Sequence, residues 1–424
     1  MNFEHLFAPY AGREVRVGLA GAGEFGRSFL FRSGRVRQLR VVAVADRDVS
    51  RAASLVQGLP DVKVVDDATR LAEMPLDMIV EATGDPEVAA RTAELALAHR
   101  KHFAMVTKEA DCVVGPILHA KAKEAGLAFT AVDGDQPALL VSLVSRARLL
   151  GLDVVCAGKS GEYDFVLESE KVSGPEGSIA LTDAGRFWSD AGYRRETLRG
   201  WLHATVPDYC EMCIVANATG LGVDAPSMHA PAARTVELPN LFRLGGLLSQ
   251  AGVVDMFVCL RRADELSFAG GVFVVVRCDD AATWAVLKQK GIPVSDDGSY
   301  ALLHNPVHLL GIEAPATVLS AVFLGVPAVR LAPRFDLHAR ANRPLVKGTR
   351  LSIGERHVIG GLDTLIAPAQ AARGTAPIPY YMAAGARLVR DVAAGSLITR
   401  DAVEPPAGSA LWRLREEQDR RFFP

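Results

Sequence analysis

A glycine-rich turn near the start of the chain constrains the fold more than any other feature of this sequence. The apolar segment Val15–Ala20 runs directly into Gly21-Ala-Gly-Glu-Phe-Gly26, which places Gly-x-Gly-x-x-Gly between a predicted strand and a predicted helix. We expect Gly21 to allow the tight turn, Gly23 to let a phosphate approach the backbone, and Gly26 to let the helix lie close to the strand. The free N–H groups at the helix start would bind that phosphate. The pattern therefore predicts a dinucleotide-binding turn.

An acidic residue follows this turn at the spacing that a dinucleotide requires. Asp46 lies twenty residues after Gly26, at the end of the segment Val41–Ala45, where a carboxylate can bind ribose hydroxyls. That carboxylate favours NAD, whereas Arg47 could bind the 2′-phosphate of NADP, so both cofactors stay open. The other residues expected at the cofactor lie at the helix start and at the ends of later strands: Glu24, Phe25, Ala82, Thr83, Gly84, Thr107 and Lys108.

The order of apolar segments predicts an α/β fold that begins with a doubly wound parallel sheet of the Rossmann type. Between Glu14 and about Val155, short apolar runs alternate with helical periodicity, which is typical of βαβ units. The strands are predicted at Val15–Ala20, Val41–Ala45, Lys63–Val65, Met78–Ala82, His102–Met105 and Ala128–Ala131, and the helices at Phe25–Ser33, Val49–Gln57, Pro86–His99 and Pro116–Ala125. We expect an NAD(P)-binding domain at residues 1–153.

The alternation of short apolar runs with helical segments ends after Gly151, and the sequence beyond it predicts two further domains. Residues 154–331 read as an α+β substrate domain, with an amphipathic region at Phe187–Leu202, a β-branched strand at Gly271–Arg277, and helices at Ala281–Lys290 and Pro306–Leu324. Residues 332–424 are predicted to form a small β-rich domain that contains two similar sequence segments, one starting at Arg343 and the other at Arg390. The charged helix predicted at Trp412–Arg421 is most simply a solvated tail or an oligomer contact.

Composition excludes several classes of partner. The net charge is only −2, with 23% charged residues, so no basic field favours nucleic acid, and small molecules are the expected partners. The six cysteines read as reduced core thiols, and neither their spacing nor that of the histidines predicts a bound zinc ion. The first residues do not predict a secretory leader, and no apolar run reaches about 18 residues. We therefore expect a cytoplasmic protein that does not bind membranes. A homo-oligomer is the expected assembly.

Lys108 is the first candidate for catalysis. It follows the fifth predicted strand and hence lies at the carboxyl edge of the sheet, where ligands bind. An ammonium there can bind a carbonyl oxygen or exchange a proton during hydride transfer. The alternative is a surface lysine at a helix end.

Other candidates follow later strands. Asp133 and Asp135, with Lys159 as a nearby lysine, could transfer protons or hold a divalent ion together with substrate oxygens, although Asp-Gly-Asp is also a common turn. Asn217 belongs to a polar, glycine-rich segment that could orient a polyol, together with Glu211, Thr219, Asp224 and His229. His308 could point toward the site from an apolar helix, or could be a satisfied interior histidine.

The Thr107-Lys108 motif after a Rossmann-type domain, followed by an α+β domain, resembles the homoserine dehydrogenase-like oxidoreductases. The segment Leu388–Asp401 extends the likeness to the subgroup that carries a C-terminal SAF (antifreeze-like) domain. That subgroup includes the 1-deoxy-D-xylulose 5-phosphate reductoisomerase-like enzymes, which make methylerythritol 4-phosphate for isoprenoid biosynthesis with NADPH. Homoserine dehydrogenases use a lysine of the substrate domain, but this chain has none between Lys171 and Lys288.

The resemblance implies an NAD(P)H-dependent reaction on a small polar hydroxy or keto compound, with Lys108 and Lys159 binding its oxygens. A reductoisomerase must also hold two adjacent substrate oxygens, plausibly through a divalent cation near Asp133 or Asp135. Homoserine or sugar-acid dehydrogenation is an alternative. A non-catalytic sensor that binds the dinucleotide is a second alternative of a different class.

Overall fold

A computed structural model describes residues 2–59, 61–201 and 204–424 and divides the chain into two compact units. Unit 1 consists of Met1–Ala138 and Leu309–Pro424, and unit 2 consists of Leu139–His308. The C-terminal segment thus groups with the N-terminal sheet. The division into three domains at residues 153 and 331 stays a prediction.

The N-terminal part of unit 1 confirms the predicted fold class. Its six strands form one parallel sheet in the order β3-β2-β1-β4-β5-β6, with apolar side chains buried on both faces. These strands are β1 (Val15–Ala20), β2 (Leu39–Ala45), β3 (Lys63–Val65), β4 (Met78–Glu81), β5 (His102–Met105) and β6 (Phe129–Ala131). The helices are α1 (Phe3–Phe7), α2 (Glu24–Ser33), α3 (Val49–Leu55), α4 (Pro86–Ala98) and α5 (Lys108–Glu124). The strand order reverses between β1 and β4, which is where such sheets bind ligands.

Unit 2 is built on a mixed sheet in the order β10-β12-β7-β13-β14. Helix α6 (Gln136–Leu149) leads into it, and β7 pairs with a parallel strand on one side and an antiparallel strand on the other. The strands are β7 (Val154–Glu168), β8 (Lys171–Gly174), β9 (Gly177–Ala180), β10 (Gly222–Val223), β11 (Ala232–Ala233), β12 (Val253–Arg262), β13 (Val272–Arg277) and β14 (Tyr300–Asn305). The helices are α7 (Ala184–Ser189), α8 (Ala191–Thr197), α9 (Val206–Thr219), α10 (Leu238–Leu241) and α11 (Ala281–Gln289). Leu202, the end of the predicted amphipathic region, lies outside the described residues.

The C-terminal segment adds α12 (Ala314–Leu324), β15 (Phe335–Ala341), β16 (Leu362–Pro368), β17 (Arg387–Leu388), β18 (Val403–Glu404) and α13 (Ala410–Phe422). The helix predicted from Pro306 is wrong in its first turns. It begins only at Ala314, because Pro315 is favoured in the first turn of a helix. The two similar sequence segments that start at Arg343 and Arg390 pair with each other, since Leu345 and Val392 exchange backbone hydrogen bonds of 2.9 Å.

Helix α5 begins eight residues before its predicted start at Pro116, because α13 compensates the proline. Pro116 lies inside α5, where it has no N–H to donate. The Gln418 side chain donates to the Val113 carbonyl and accepts from the Ile117 N–H, both at 3.1 Å. Helix α13 is therefore not a solvated tail. In the described ranges no helix combines the length and the apolar character needed to cross a membrane.

Candidate active site

The glycine turn of unit 1 has the backbone geometry that a dinucleotide requires. Gly21 has φ +99°, and a Cβ atom there would overlap the Ala82 carbonyl oxygen, while one at Gly26 would overlap the carbonyl oxygen of Gly21. Gly23 differs, because no atom of the described residues lies within 4 Å of a Cβ placed there. Within the same residues no side chain caps α2, so the amides of its first turn remain for a ligand. These residues fit the pyrophosphate of NAD(P).

Because the surroundings of Gly21 and Gly23 differ, substituting one should affect folding and substituting the other should affect cofactor binding. We expect Gly23→Ala to leave the melting temperature unchanged, because the added methyl group meets no protein atom, and to weaken NAD(P)H binding more than about tenfold by occupying phosphate space. Gly21→Ala should instead destabilise the fold, because its Cβ meets backbone. Calorimetry and thermal unfolding on both variants check this. Full cofactor affinity in Gly23→Ala would contradict the assignment.

Asp46 lies at the end of β2 with both carboxylate oxygens engaged. It accepts from the Ala22 N–H at 2.8 Å and the Asp48 N–H at 2.9 Å, and both oxygens lie 2.8 Å from Nη2 of Arg51. Although burial opposes it, these donors hold the pKa of Asp46 below its usual value. Asp46 thus stays a carboxylate beside the glycine turn. Arg47 is exposed, and Arg51 is the guanidinium that the sequence did not indicate.

A hydrogen-bond network joins the ends of β4 and β5. One oxygen of the buried Glu81 accepts from the Thr83 N–H (2.7 Å), the Thr83 hydroxyl (2.6 Å) and the Thr107 hydroxyl (2.9 Å). The Thr107 hydroxyl also accepts from the Gly84 N–H at 3.0 Å, so it does not cap α5. The loop after β4 is thereby fixed to the start of α5.

Lys108 is the first residue of α5 and 22% of its side chain is exposed. Its ammonium lies 3.8 Å from a carboxylate oxygen of Asp135. The structure separates the two aspartates of the predicted pair. Asp133 accepts from the Thr317 hydroxyl at 2.7 Å and its own amide donates back at 2.8 Å, which ties it to α12. Asp135 therefore lies near Lys108, while Asp133 is engaged by Thr317.

Three further acids are buried at this edge of the sheet. Burial raises the pKa of Glu81 and of Asp111 to about 7, and raises that of Glu109 against the opposing charges of His357 and Lys108. One oxygen of Glu81 and both oxygens of Asp111 have no hydrogen-bond partner among the described residues. Burial therefore favours the protonated form of all three acids.

The burial of Asp111 predicts that the stability of the fold depends on pH. Because its folded-state pKa is raised from 3.8 to about 7, the folded chain binds more protons than the unfolded chain, and stability falls as the pH rises through that range. Asp111→Asn cannot ionise, so we expect it to be more stable than the wild type by about 2–4 kcal/mol at pH 8 and to flatten the pH dependence. Denaturant unfolding at several pH values measures this. Asp264→Asn on an exposed turn is the control, and equal pH slopes in wild type and Asp111→Asn would contradict the expectation.

The C-terminal segment contributes a histidine that sequence reasoning missed. Nδ1 of His357 lies 3.4 Å from a carboxylate oxygen of Glu109, and 41% of the His357 side chain is exposed. The ring also covers Gly84, where a Cβ atom would lie 2.9 Å from Cε1 of His357. No motif links His357 to Lys108 along the chain, so only folding brings them to one edge.

Unit 2 gathers a second cluster around Lys159. Its ammonium is fully buried and forms salt bridges with Glu162 (2.9 Å), Asp208 (2.9 Å) and Glu211. Burial alone would lower the pKa of Lys159, but the three carboxylates hold it well above its usual range. Lys159 is thus a permanent cation and has no exposed surface through which to contact a substrate. The Glu162 side chain, in contrast, is 54% exposed and is accessible to solvent and small molecules.

Local folding explains how these side chains meet. Lys159 and Glu162 are three residues apart and would lie on opposite faces of a regular strand. The register of β7 shifts opposite Phe257–Cys259, which turns Glu162 toward Lys159. Asp208 and Glu211 share one face of α9, whose N-terminus is fixed by a capping box between Thr205 and Asp208.

The remaining candidates are placed less favourably. Asn217 is buried in α9, with its amide nitrogen 3.7 Å from Sγ of Cys213. His308 lies in the loop before α12, so its predicted place on an apolar helix is wrong. Glu162, Asp208 and Glu211 form the one acidic group of metal-binding size in the described ranges. The Lys159 ammonium already contacts all three carboxylates, so a divalent ion does not fit there.

Two family models match consecutive parts of the chain. The model described as "Homoserine dehydrogenase, NAD binding domain" matches residues 21–130, and the one described as "Oxidoreductase DRL, catalytic domain" matches residues 134–314. The first contains the glycine turn, Asp46 and Lys108, and the second contains the Lys159 cluster. The chain is an NAD(P)-dependent oxidoreductase. This disfavours the alternative of a non-catalytic sensor.

Solved structures are similar only in part. A myo-inositol dehydrogenase from Lactobacillus casei is 16% identical over 40% of this chain and 68% of its own, with a TM-score of 0.30. A biliverdin reductase from Synechocystis is 21% identical over 37% of this chain and 48% of its own (TM-score 0.28), and a putative oxidoreductase from Bacteroides fragilis is 16% identical over 74% and 91% (TM-score 0.34). This chain thus covers less than two thirds of the reductase. No curated protein matches the sequence significantly.

Proposed function

We propose that this oxidoreductase acts on a small, polar, anionic hydroxy ketone in a reaction of the 1-deoxy-D-xylulose 5-phosphate reductoisomerase type, in which the carbon skeleton rearranges and the carbonyl group formed by the rearrangement is reduced. The observation that carries the proposal is Lys108. It is a partly exposed ammonium at the carboxyl edge of the sheet, near the switch point where dinucleotides bind. Such a cation can hold a carbonyl oxygen while negative charge develops on it.

Different residues would bind the cofactor and the substrate. Gly21, Gly23 and the amides of α2 would hold the pyrophosphate, and Asp46 the adenosine ribose. The bound NAD(P)H supplies a hydride. Lys108 would hold the substrate oxygen. Lys159 is fully buried among three carboxylates and is not proposed as a direct ligand of the substrate oxygens.

The reductoisomerase type rests on the resemblance of the sequence, including the SAF-like character of the C-terminal segment. A divalent cation, which the sequence suggested near Asp133 or Asp135, is not part of the proposal. Asp133 is engaged by Thr317, and an ammonium occupies the centre of the acidic cluster in unit 2. We therefore expect that a chelator leaves the rate unchanged.

An assay of the purified chain tests the proposal. It is mixed with NADPH or NADH and 1-deoxy-D-xylulose 5-phosphate, and the absorbance of the reduced nicotinamide is followed with and without EDTA. Homoserine and sugar acids, assayed with NAD and NADP, represent the alternative dehydrogenases. Loss of absorbance with the ketose phosphate supports the proposal. Turnover of only homoserine or a sugar acid would replace it.

A further inference from the structure

We propose that His357 exchanges the proton with the substrate oxygen beside the nicotinamide, and that Glu109 holds its imidazole in place. The proposal rests on the proposed function. It assigns a catalytic part to the C-terminal segment, which joins unit 1 from far along the sequence. Two geometric facts support it: the His357 ring lies over Gly84, and its Nδ1 lies 3.4 Å from a carboxylate oxygen of Glu109 at the same edge of the sheet.

The position of Gly84 indicates which half of the cofactor His357 would meet. Asp46 at the end of β2 lies on one side of β1, and β4 lies on the other. A dinucleotide whose adenosine ribose is held by Asp46 and whose pyrophosphate is held at the glycine turn must extend its nicotinamide half toward β4. Gly84 belongs to the loop directly after β4. The imidazole over Gly84 therefore lies on the nicotinamide side.

The ring is oriented as an acid–base group requires. Its Nδ1 faces the buried Glu109 carboxyl, while Nε2 has no partner among the described residues and lies on a side chain that is 41% exposed. A histidine held through Nδ1 by an acid presents Nε2 to a reacting oxygen. Its exposure lets the ring regain a proton from solvent after each turnover.

The backbone at His357 is held in an uncommon conformation. Arg356 and His357 both have positive φ, at 51° and 59°, although neither is glycine. The Tyr381 hydroxyl donates to the His357 carbonyl at 3.2 Å, and the Gly354 amide donates to the Val358 carbonyl at 2.8 Å, which fixes the turn. Non-glycine residues persist in this region when their surroundings impose it, and such residues cluster at functional sites.

The proton balance is simple. As the hydride bonds to the carbonyl carbon, the carbon–oxygen π bond breaks and the oxygen gains the electron pair. The Nε2–H bond of the imidazolium breaks, and the proton bonds to that oxygen. Neutral imidazole remains, with its Nδ1–H toward Glu109. Lys108 keeps its proton and holds the oxygen by charge.

Chemical labelling tests the position without any substrate. Diethyl pyrocarbonate acylates accessible imidazoles, and mass spectrometry of peptides locates the label. We expect NADP or NAD to protect His357 strongly, and ADP, which lacks the nicotinamide half, to protect it much less. His99, exposed at the opposite edge of the sheet, is the internal control and should be labelled equally throughout. Equal labelling of His357 with and without the dinucleotide would overturn the assignment.

Kinetics then test the proton transfer. His357→Asn should lower kcat by about 100- to 10,000-fold and remove one limb of its pH profile, while NADPH affinity and melting temperature stay unchanged. Glu109→Gln should show a smaller loss of the same kind, and His99→Asn none. An unaltered kcat and pH profile in His357→Asn would refute the role. If the wild type binds no nicotinamide dinucleotide at all, the proposed function fails instead.

Discussion

Lys108→Met is expected to lower kcat by about 100- to 10,000-fold while the dissociation constant for NADPH stays within about twofold of the wild-type value. Methionine keeps most of the length and apolar character of the side chain but cannot hold a developing negative charge. The variant should fold, because Lys108 is partly exposed and its ammonium lies 3.8 Å from a carboxylate oxygen of Asp135, which is longer than a hydrogen bond. Steady-state kinetics and cofactor fluorescence measure both quantities.

The control is Lys123→Met, which removes an exposed ammonium from the other end of the same helix. It should leave kcat and cofactor binding unchanged. Lys108→Arg restores charge but not shape, so a partial recovery of kcat would indicate that charge is the main contribution. A wild-type kcat in Lys108→Met would remove Lys108 from the site and leave the hydroxy-ketone proposal without its central residue.

The cofactor half of the site could be read from the sequence because its physics is local. The glycines, the helix start and Asp46 all lie within one βαβ unit, where spacing along the chain determines distance in space. Strands β1, β3 and β5 have the bounds that the apolar runs predicted. The sequence did not predict the role of Arg51, because its pairing with Asp46 depends on the turn geometry between β2 and α3.

The catalytic half depends on contacts that no spacing encodes. Pro116 suggested a helix start, and only Gln418, some three hundred residues later, explains why α5 continues through it. His357 reaches Glu109 for the same reason, through packing of distant segments. Asp208 could have been found, since Thr-x-x-Asp before an apolar run is a helix-start pattern, but its partnership with Lys159 required the irregular register of β7.

Lys159→Met is expected to destabilise the fold by about 3–5 kcal/mol, because removing one partner of a buried ion cluster leaves the other charges uncompensated. Asp208 and Glu211 are almost completely buried, and the Lys159 ammonium is the cation that faces them. Without it their pKa values should rise, so the folded state would bind extra protons. The loss of stability should therefore be larger at pH 8 than at pH 5. Denaturant unfolding at both pH values measures this.

Neutralising an acid in the same background separates charge from packing. In Lys159→Met combined with Glu211→Gln, one uncompensated carboxylate is gone, so part of the lost stability should return and the double-mutant cycle should show a favourable coupling. The matched control is Lys171→Met at the exposed first residue of β8, which should change stability by less than about 0.5 kcal/mol. Additive losses in the cycle would mean that Lys159 stabilises unit 2 through packing alone, and the electrostatic account of this cluster would then be wrong.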